Sequence, residues 1–110
     1  MEHELIVAFI SVATASEAEC LAQALLAARL AACTNIISGV SSSYWWQGRV
    51  ESAQEVLLVV KSRAALLNEI TKCVTALHSY DMPEIIALPI AGGSADYLKW
   101  VSDETKQCSS

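Results

Sequence analysis

Two long strand-like runs meet at a short turn signal, and this pairing constrains the fold more than any other feature of the sequence. The runs cover residues 32–46 and 50–61, and they flank Gln47-Gly48. Extended runs on either side of a short glycine-containing turn are typical of an antiparallel hairpin. Each arm has about 13 residues, roughly twice the length of an ordinary strand. The hairpin is therefore predicted to extend beyond the sheet to which it belongs.

Two further segments predict strands. Residues 4–12 form a continuous apolar run, which is typical of a central strand buried on both faces. Residues 84–90 form a shorter apolar run that contains Pro89. Because proline has no N–H to donate to a neighbouring strand, this fourth strand is predicted to lie at an edge of the sheet.

Helical spacing of apolar residues predicts helices over about 16–31 and about 63–78. Ser16 and Glu19 have the spacing of a capping box at the start of the first helix. Ser94 is placed to cap a last short helix. The resulting order, βαββαβα, predicts an α+β, ferredoxin-like βαββαβ fold with a long β2–β3 hairpin and an extra C-terminal helix.

Composition indicates one domain that buries part of its surface against other copies. The chain has 110 residues, of which 54% are hydrophobic and 17% charged. Globular domains are typically about 25% charged, so the exposed surface is unusually apolar for a small protein. We expect a single domain over 1–110, with an ordered core over 4–104 and a polar tail over 105–110 that frays.

Charge and cysteine spacing exclude several classes of function. The net charge is −5 and the seven basic residues are scattered, so the sequence offers no patch for a nucleic-acid backbone. No apolar run reaches the roughly 18 residues that predict a membrane span. The apolar segment Leu5–Ile10 is too short for a signal sequence and follows Glu2 and Glu4, which predicts a cytoplasmic protein. The four cysteines have neither zinc-site nor dense disulfide spacing, which predicts reduced thiols.

Three consecutive aromatic residues, Tyr44, Trp45 and Trp46, lie at the end of the first hairpin arm. Because side chains alternate along a strand, Tyr44 and Trp46 share one face and Trp45 takes the other. Rings that point in opposite directions on an overhang cannot all reach the core of their own domain. They are therefore predicted to form an interface between subunits. The alternative is that the C-terminal helix folds back over the hairpin.

Four segments, in order, resemble the CutA family. They are Arg-Leu-Ala-Ala-Cys-Thr-Asn-Ile at 29–36, Tyr-Trp-Trp-Gln-Gly-Arg at 44–49, His-Ser-Tyr-Asp-Met-Pro-Glu-Ile at 78–85 and Asp-Tyr-Leu-Lys-Trp at 96–100. The resemblance spans about residues 5–104. It implies a ferredoxin-like homotrimer, held together by its long hairpins, that takes part in tolerance of divalent metal ions. It also implies weak copper(II) binding and no catalysis.

The metal ligands that the resemblance implies are only partly present. Copper-binding members of the family use a cysteine late in the first strand and adjacent histidines before the His-x-Tyr motif. Here Ile10 and Leu77 occupy two of those positions, and His78 alone remains. Copper(II) prefers several nitrogen or oxygen ligands, so Asp81, Glu84 or a neighbouring subunit would have to contribute. The alternative is that His78 is a structural hydrogen-bonding residue.

A second reading is that the chain resembles the PII signalling trimers in architecture and function. It would then bind a small ligand in a cleft between subunits, near Tyr80, Glu84 and Trp100. That analogy is one of fold only. An enzyme acting on an unrecognised substrate is the least supported reading.

Overall fold

The predicted order of elements is confirmed in the computed structural model, which describes residues 4–107. The elements are β1 (Leu5–Val12), α1 (Ala15–Ala27), β2 (Cys33–Trp46), β3 (Arg49–Arg63), α2 (Leu67–Leu77), β4 (Ile85–Pro89) and α3 (Ala95–Glu104). A short 3₁₀ turn over Ala64–Leu66 leads from β3 into α2. None of the described helices has the length and apolarity needed to cross a bilayer.

The four strands form one antiparallel sheet in the order β2-β3-β1-β4. β1 is central: Ala8 pairs with Val60 on one side and with Ala87 on the other. β4 is an edge strand and ends at Pro89, as the missing N–H donor predicts.

The hydrophobic core lies between one face of the sheet and the helices α1 and α2. Alternate residues of β1 and β3 face the helices and are buried, including Ala8, Ile10, Leu58 and Val60. Both helices place apolar residues three or four positions apart, the spacing that puts side chains on one helix face. Those residues complete the core: Leu21, Leu25, Ile70 and Val74.

Helix α1 begins and ends earlier than its sequence pattern predicts. Thr14, not Ser16, is the N-cap: its hydroxyl accepts from the backbone N–H of Glu17 at 3.1 Å. At the other end Arg29 takes a positive φ of 58°. The N–H groups of Arg29 and Leu30 donate back to the carbonyls of Leu26 and Leu25, the Schellman arrangement that terminates a helix.

The hairpin overhangs the sheet, as predicted from its length. Its turn places Gln47 and Gly48 at φ of 51° and 81°, as a two-residue type I′ turn requires. β1 follows β3 only as far as Val56, so the part of the hairpin between there and the tip has no third strand beside it. A bulge follows Ile37, where Gly39 has a φ of 78°; bulges increase the local twist of a hairpin.

The segment after α3 is held in place, which corrects the expectation that the tail frays from residue 105. Thr105 is buried, and its hydroxyl accepts from Arg63 Nε at 2.9 Å. The backbone carbonyl of Lys106 accepts a second hydrogen bond from the Arg63 guanidinium. The backbone N–H of Lys106 donates to the carbonyl of Arg29 at 2.8 Å. Residues 108–110 of the predicted tail lie outside the described residues, as does Cys108.

Candidate functional site

A large cavity lies where the hairpin overhang passes the loop between α2 and β4. It has a volume of about 690 Å³, within the range of small-molecule sites. Serine hydroxyls, aromatic rings and two carboxylates line it. The lining residues are Ser11, Ser41, Ser42, Ser43, Tyr44, Trp45, Trp46, Glu55, Tyr80, Met82 and Glu84.

The aromatic residues predicted to form an interface line this cavity and remain partly open to solvent. Tyr44 and Trp46 are 43% and 45% exposed, and Trp45 is 75% exposed. No described residue of α3 lines the cavity, and the exposure of the three rings favours an interface over the alternative in which the C-terminal helix covers the hairpin. In the single chain these rings form an exposed apolar surface.

Tyr80 and Glu55 form the polar floor of the cavity. The Tyr80 hydroxyl donates to Glu55 Oε2 at 2.7 Å. Burial, this hydrogen bond and the charge of the Glu55 carboxylate raise the pKa of Tyr80 well above that of a free phenol. Each of these causes favours the neutral ring over the phenolate. Tyr80 therefore keeps its proton and holds one oxygen of the carboxylate in place.

His78 is a buried, fully hydrogen-bonded residue behind the cavity. Its side chain has no exposed surface. Nδ1 accepts from the backbone N–H of Tyr80 at 3.0 Å, so that nitrogen carries no proton. Nε2 lies 2.7 Å from the carbonyl oxygen of Ser11 and donates to it. With both nitrogens engaged in hydrogen bonds within the fold, the ring offers no free lone pair to a metal ion.

Glu17, on helix α1, binds the loop between α2 and β4, and we call this contact the Glu17 clamp. Its carboxylate accepts from the Ser79 N–H at 2.7 Å and from the Ser79 hydroxyl at 3.0 Å. Burial acts to raise the pKa of Glu17, but these hydrogen bonds outweigh it and lower the pKa below its usual value. The Glu17 carboxylate is therefore ionised near neutral pH and anchors α1 to the start of the loop.

The positions that the family resemblance associates with copper, occupied here by Ile10, Leu77 and His78, do not form a metal site within the described chain. Ile10 is buried in the core and Leu77 is 49% exposed. Among residues 4–107, no three histidine, cysteine, aspartate or glutamate side chains come close enough to hold a metal ion together. The geometry of His78 thus fits the structural alternative better than the role of a ligand.

The residues predicted to line a ligand cleft divide into two places within the chain. Tyr80 and Glu84 both line the cavity. Trp100 lies on α3, where its ring centroid is 5.6 Å from that of Tyr97, and it is not among the lining residues.

Comparison with known proteins places this fold in a family. The profile described as "CutA1 divalent ion tolerance protein" matches residues 6–104, nearly the whole described chain. The chain belongs to the CutA1 family. The solved CutA1 from Oryza sativa superposes with a TM-score of 0.92 at 42% identity, over 96% of each chain.

Relatives from plants and bacteria are similar to this chain in sequence. The chain is 43% identical over 102 residues to "Protein CutA 1, chloroplastic" of Oryza sativa, covering 93% of this chain and 58% of that protein. It is 46% identical over 99 residues to the "Divalent-cation tolerance protein CutA" of Thermus thermophilus, covering 90% and 96%. The chain thus spans little more than half of the plant relative but nearly all of the bacterial one.

Sequence reasoning missed three contributors to the site. Ser11, Glu17 and Glu55 contact the loop through hydrogen bonds that join residues 67, 62 and 25 positions apart. None of the three belongs to a local motif. Only the antiparallel register and the packing of α1 beside α2 bring them to the loop.

Proposed function

We propose that this chain works as a non-catalytic homotrimer in tolerance of divalent metal ions. The match to the CutA1 family across residues 6–104 is the observation that carries the proposal. The related proteins are named for tolerance of divalent cations rather than for a reaction.

The hairpin supports the trimer. Within the described residues, β2 pairs only with β3, so its outer edge is free. None of the 14 residues of β2 carries a charge, although exposed edge strands normally carry charges or proline that prevent pairing with other chains. Together with the exposed rings of Tyr44, Trp45 and Trp46, this edge favours burial against neighbouring subunits.

Direct copper(II) binding is proposed to be weak. Three or more converging donors are typical of a tight site, and no such cluster occurs among the described residues. The only histidine described, His78, uses both ring nitrogens within the fold. Tolerance would then arise from a response to metal rather than from storage of it.

A small-ligand site in a cleft between subunits is the second candidate. It is supported by the cavity that contains Tyr80 and Glu84. In this proposal Trp100 would approach the ligand from a neighbouring subunit, since it does not line the cavity of its own chain. The protein would then resemble the PII signalling trimers in function as well as in fold.

A cytoplasmic location is also proposed, on the basis of the thiols. Cys20, Cys33 and Cys73 are free, and free thiols persist in reducing compartments. Fractionation of cells that produce the untagged chain would test this location. Recovery of the protein from an extracytoplasmic or organellar fraction would contradict it.

Two measurements test the main proposal. Light scattering should give about three times the 11.8 kDa mass of one chain, and a monomer at micromolar concentration would refute the trimer. A host strain that lacks its own family member should regain growth in copper(II) when it produces this chain. Dialysis after copper loading should leave far less than one metal ion per chain, and retention of one or more would refute weak binding.

A further inference from the structure

We propose that His78 is a pH-dependent latch on the loop between α2 and β4. In the neutral ring, Nδ1 accepts from the backbone N–H of Tyr80. In the protonated ring, Nδ1–H donates to the Glu17 carboxylate instead, and the Tyr80 backbone is released. The His78 side chain has no exposed surface within its own chain. The latch therefore depends neither on the trimer nor on metal tolerance.

The contacts of the ring define its neutral state. Nε2 lies 2.7 Å from the carbonyl oxygen of Ser11, which can only accept, so Nε2 carries a proton. Nδ1 lies 3.0 Å from the backbone nitrogen of Tyr80, whose N–H can only donate, so Nδ1 carries none. A second proton on Nδ1 would face the Tyr80 N–H directly. The ring therefore cannot gain a charge and keep this hydrogen bond.

Glu17 offers the alternative partner for a protonated Nδ1. Its Oε2 lies 3.5 Å from Nδ1 and accepts from the Ser79 N–H at 2.7 Å. A carboxylate oxygen has two lone pairs, so it can accept both hydrogen bonds. Burial acts to raise the pKa of Glu17, but the hydrogen bonds from Ser79 outweigh it and lower that pKa. The carboxylate thus stays charged in the range, around pH 6.5, where a free imidazole gains its second proton.

No second charge competes with Glu17 for the ring. Among the described residues, Glu17 is the only charged residue that pairs with His78, and neither Glu17 nor Glu55 pairs with a lysine or arginine. The ring of Tyr80 lies 4.7 Å from that of His78, centroid to centroid, and its hydroxyl donates to Glu55 on β3. The remaining titratable groups on this side are Tyr44 on β2 and Asp81 and Glu84 on the loop.

Release of the Tyr80 backbone would act on the contact between the loop and the hairpin. Within the described chain, the only hydrogen bond between residues 78–84 and the hairpin runs from the Tyr80 hydroxyl to Glu55 Oε2, at 2.7 Å. A shift of the Tyr80 backbone would move that hydroxyl away from Glu55. The latch thus couples proton uptake by a buried ring to the attachment of the loop to β3.

NMR and amide hydrogen exchange on the full chain, between about pH 7.5 and about pH 5, test the latch. Nitrogen chemical shifts of the His78 ring report its protonation. The protection of the Tyr80 amide, measured against an unstructured peptide at the same pH, reports the hydrogen bond. Protection should fall roughly tenfold as the ring is protonated, the loss expected for one backbone hydrogen bond. Constant protection while the ring titrates, or a ring still neutral at the lower pH, would overturn the inference.

Two variants assign the change to its residues. His78→Asn keeps an acceptor for the Tyr80 N–H but cannot be protonated, so protection of the Tyr80 amide should no longer depend on pH. Glu17→Gln keeps an oxygen that accepts from the Ser79 N–H but loses the charge, so the transition should move about one pH unit lower. A transition that persists in His78→Asn would overturn the latch.

Glu19→Gln is the matched control for Glu17→Gln. Glu19 is also on α1, is exposed, and forms no hydrogen bond or ion pair with the loop in the described chain. An equal displacement of the transition by both variants would overturn the role of Glu17. Amides of the central strand β1 should keep their protection at both pH values; loss there together with Tyr80 would indicate global unfolding and would also overturn the latch.

Discussion

Replacing His78 should destabilise the fold without altering its response to copper. The His78 ring satisfies two backbone groups, the Tyr80 N–H at 3.0 Å and the Ser11 carbonyl at 2.7 Å, and it has no exposed surface. Leaving a buried polar group unpaired costs about 1–3 kcal/mol. His78→Ala leaves two such groups, so the expected loss in the free energy of unfolding is roughly 3 kcal/mol, allowing for partial access of water. The melting temperature should fall by at least about 10 °C.

Two conservative variants separate the two hydrogen bonds. The amide nitrogen of glutamine falls near the position of Nε2, so His78→Gln retains donation to the Ser11 carbonyl. The amide oxygen of asparagine falls near Nδ1, so His78→Asn retains acceptance from the Tyr80 N–H. Each variant should therefore lose about half as much as His78→Ala, roughly 1.5 kcal/mol.

Thermal and urea denaturation at one protein concentration provide the measurement, with copper tolerance assayed in the same strains. Light scattering should show that all three variants keep the mass of the parent. Unchanged melting for His78→Ala would refute the structural role. Loss of copper tolerance in the stable His78→Gln variant would show instead that His78 acts on the metal.

Three further predictions concern the hairpin, the clamp and the thiols. Trp46→Ala should shift the protein toward monomer and lower its melting temperature, because truncating a well-packed aromatic typically costs about 3–5 kcal/mol; an intact trimer with unchanged melting would show that the hairpin tip is not the interface. The pKa of Glu17 is lowered by folding, so its stabilising effect is present above its unfolded pKa and is lost as pH falls through the folded value. Stability should therefore decline in acid, and Glu17→Gln should flatten that decline; an identical pH profile for the variant would contradict the clamp. Brief alkylation of the native protein should modify Cys20, which is exposed, before Cys73, whose pKa is raised by burial; peptide mass spectrometry would show the order, and faster labelling of Cys73 would contradict it.

The sheet was predictable because its signals are local. Gln47-Gly48 specifies a two-residue turn on its own, and the structure gives both residues the positive φ that such a turn needs. Pro89 marks an edge strand because it lacks an N–H, whatever the rest of the fold does. The length of the hairpin arms likewise predicts an overhang without knowledge of the packing.

The end of α1 could not be predicted from the sequence. Helices usually terminate at a glycine, because that residue takes a positive φ without strain. Here Arg29 takes that conformation, and its guanidinium is held by the Glu104 carboxylate at 2.9 Å. The positive φ of Arg29 is thus accompanied by a side-chain contact with Glu104, 75 residues away. Leu30 and Ala31 are apolar, so the helical pattern of the sequence continues beyond the true end of the helix.

The candidate site was only partly predictable. The aromatic tip and the loop motif identified Tyr44, Trp46, Tyr80 and Glu84 as residues of interest, and the structure places all four around one cavity. The roles of the polar residues depend on tertiary contacts, so these roles could not be predicted from sequence spacing. His78 illustrates this limit, because only its partners distinguish a buried hydrogen-bonding residue from a metal ligand.

The contacts that hold the segment after α3 also bear on the order in which the chain folds. Arg63 binds Thr105 and Lys106 across 42 and 43 residues, and Lys106 reaches back to Arg29. Closing such long loops costs entropy that is recovered only when the contacts form. On the ribosome, both residues emerge after every residue they bind. The hairpin therefore has time to form before the segment after α3 docks, and the contacts that fix this C-terminal segment are among the last to form.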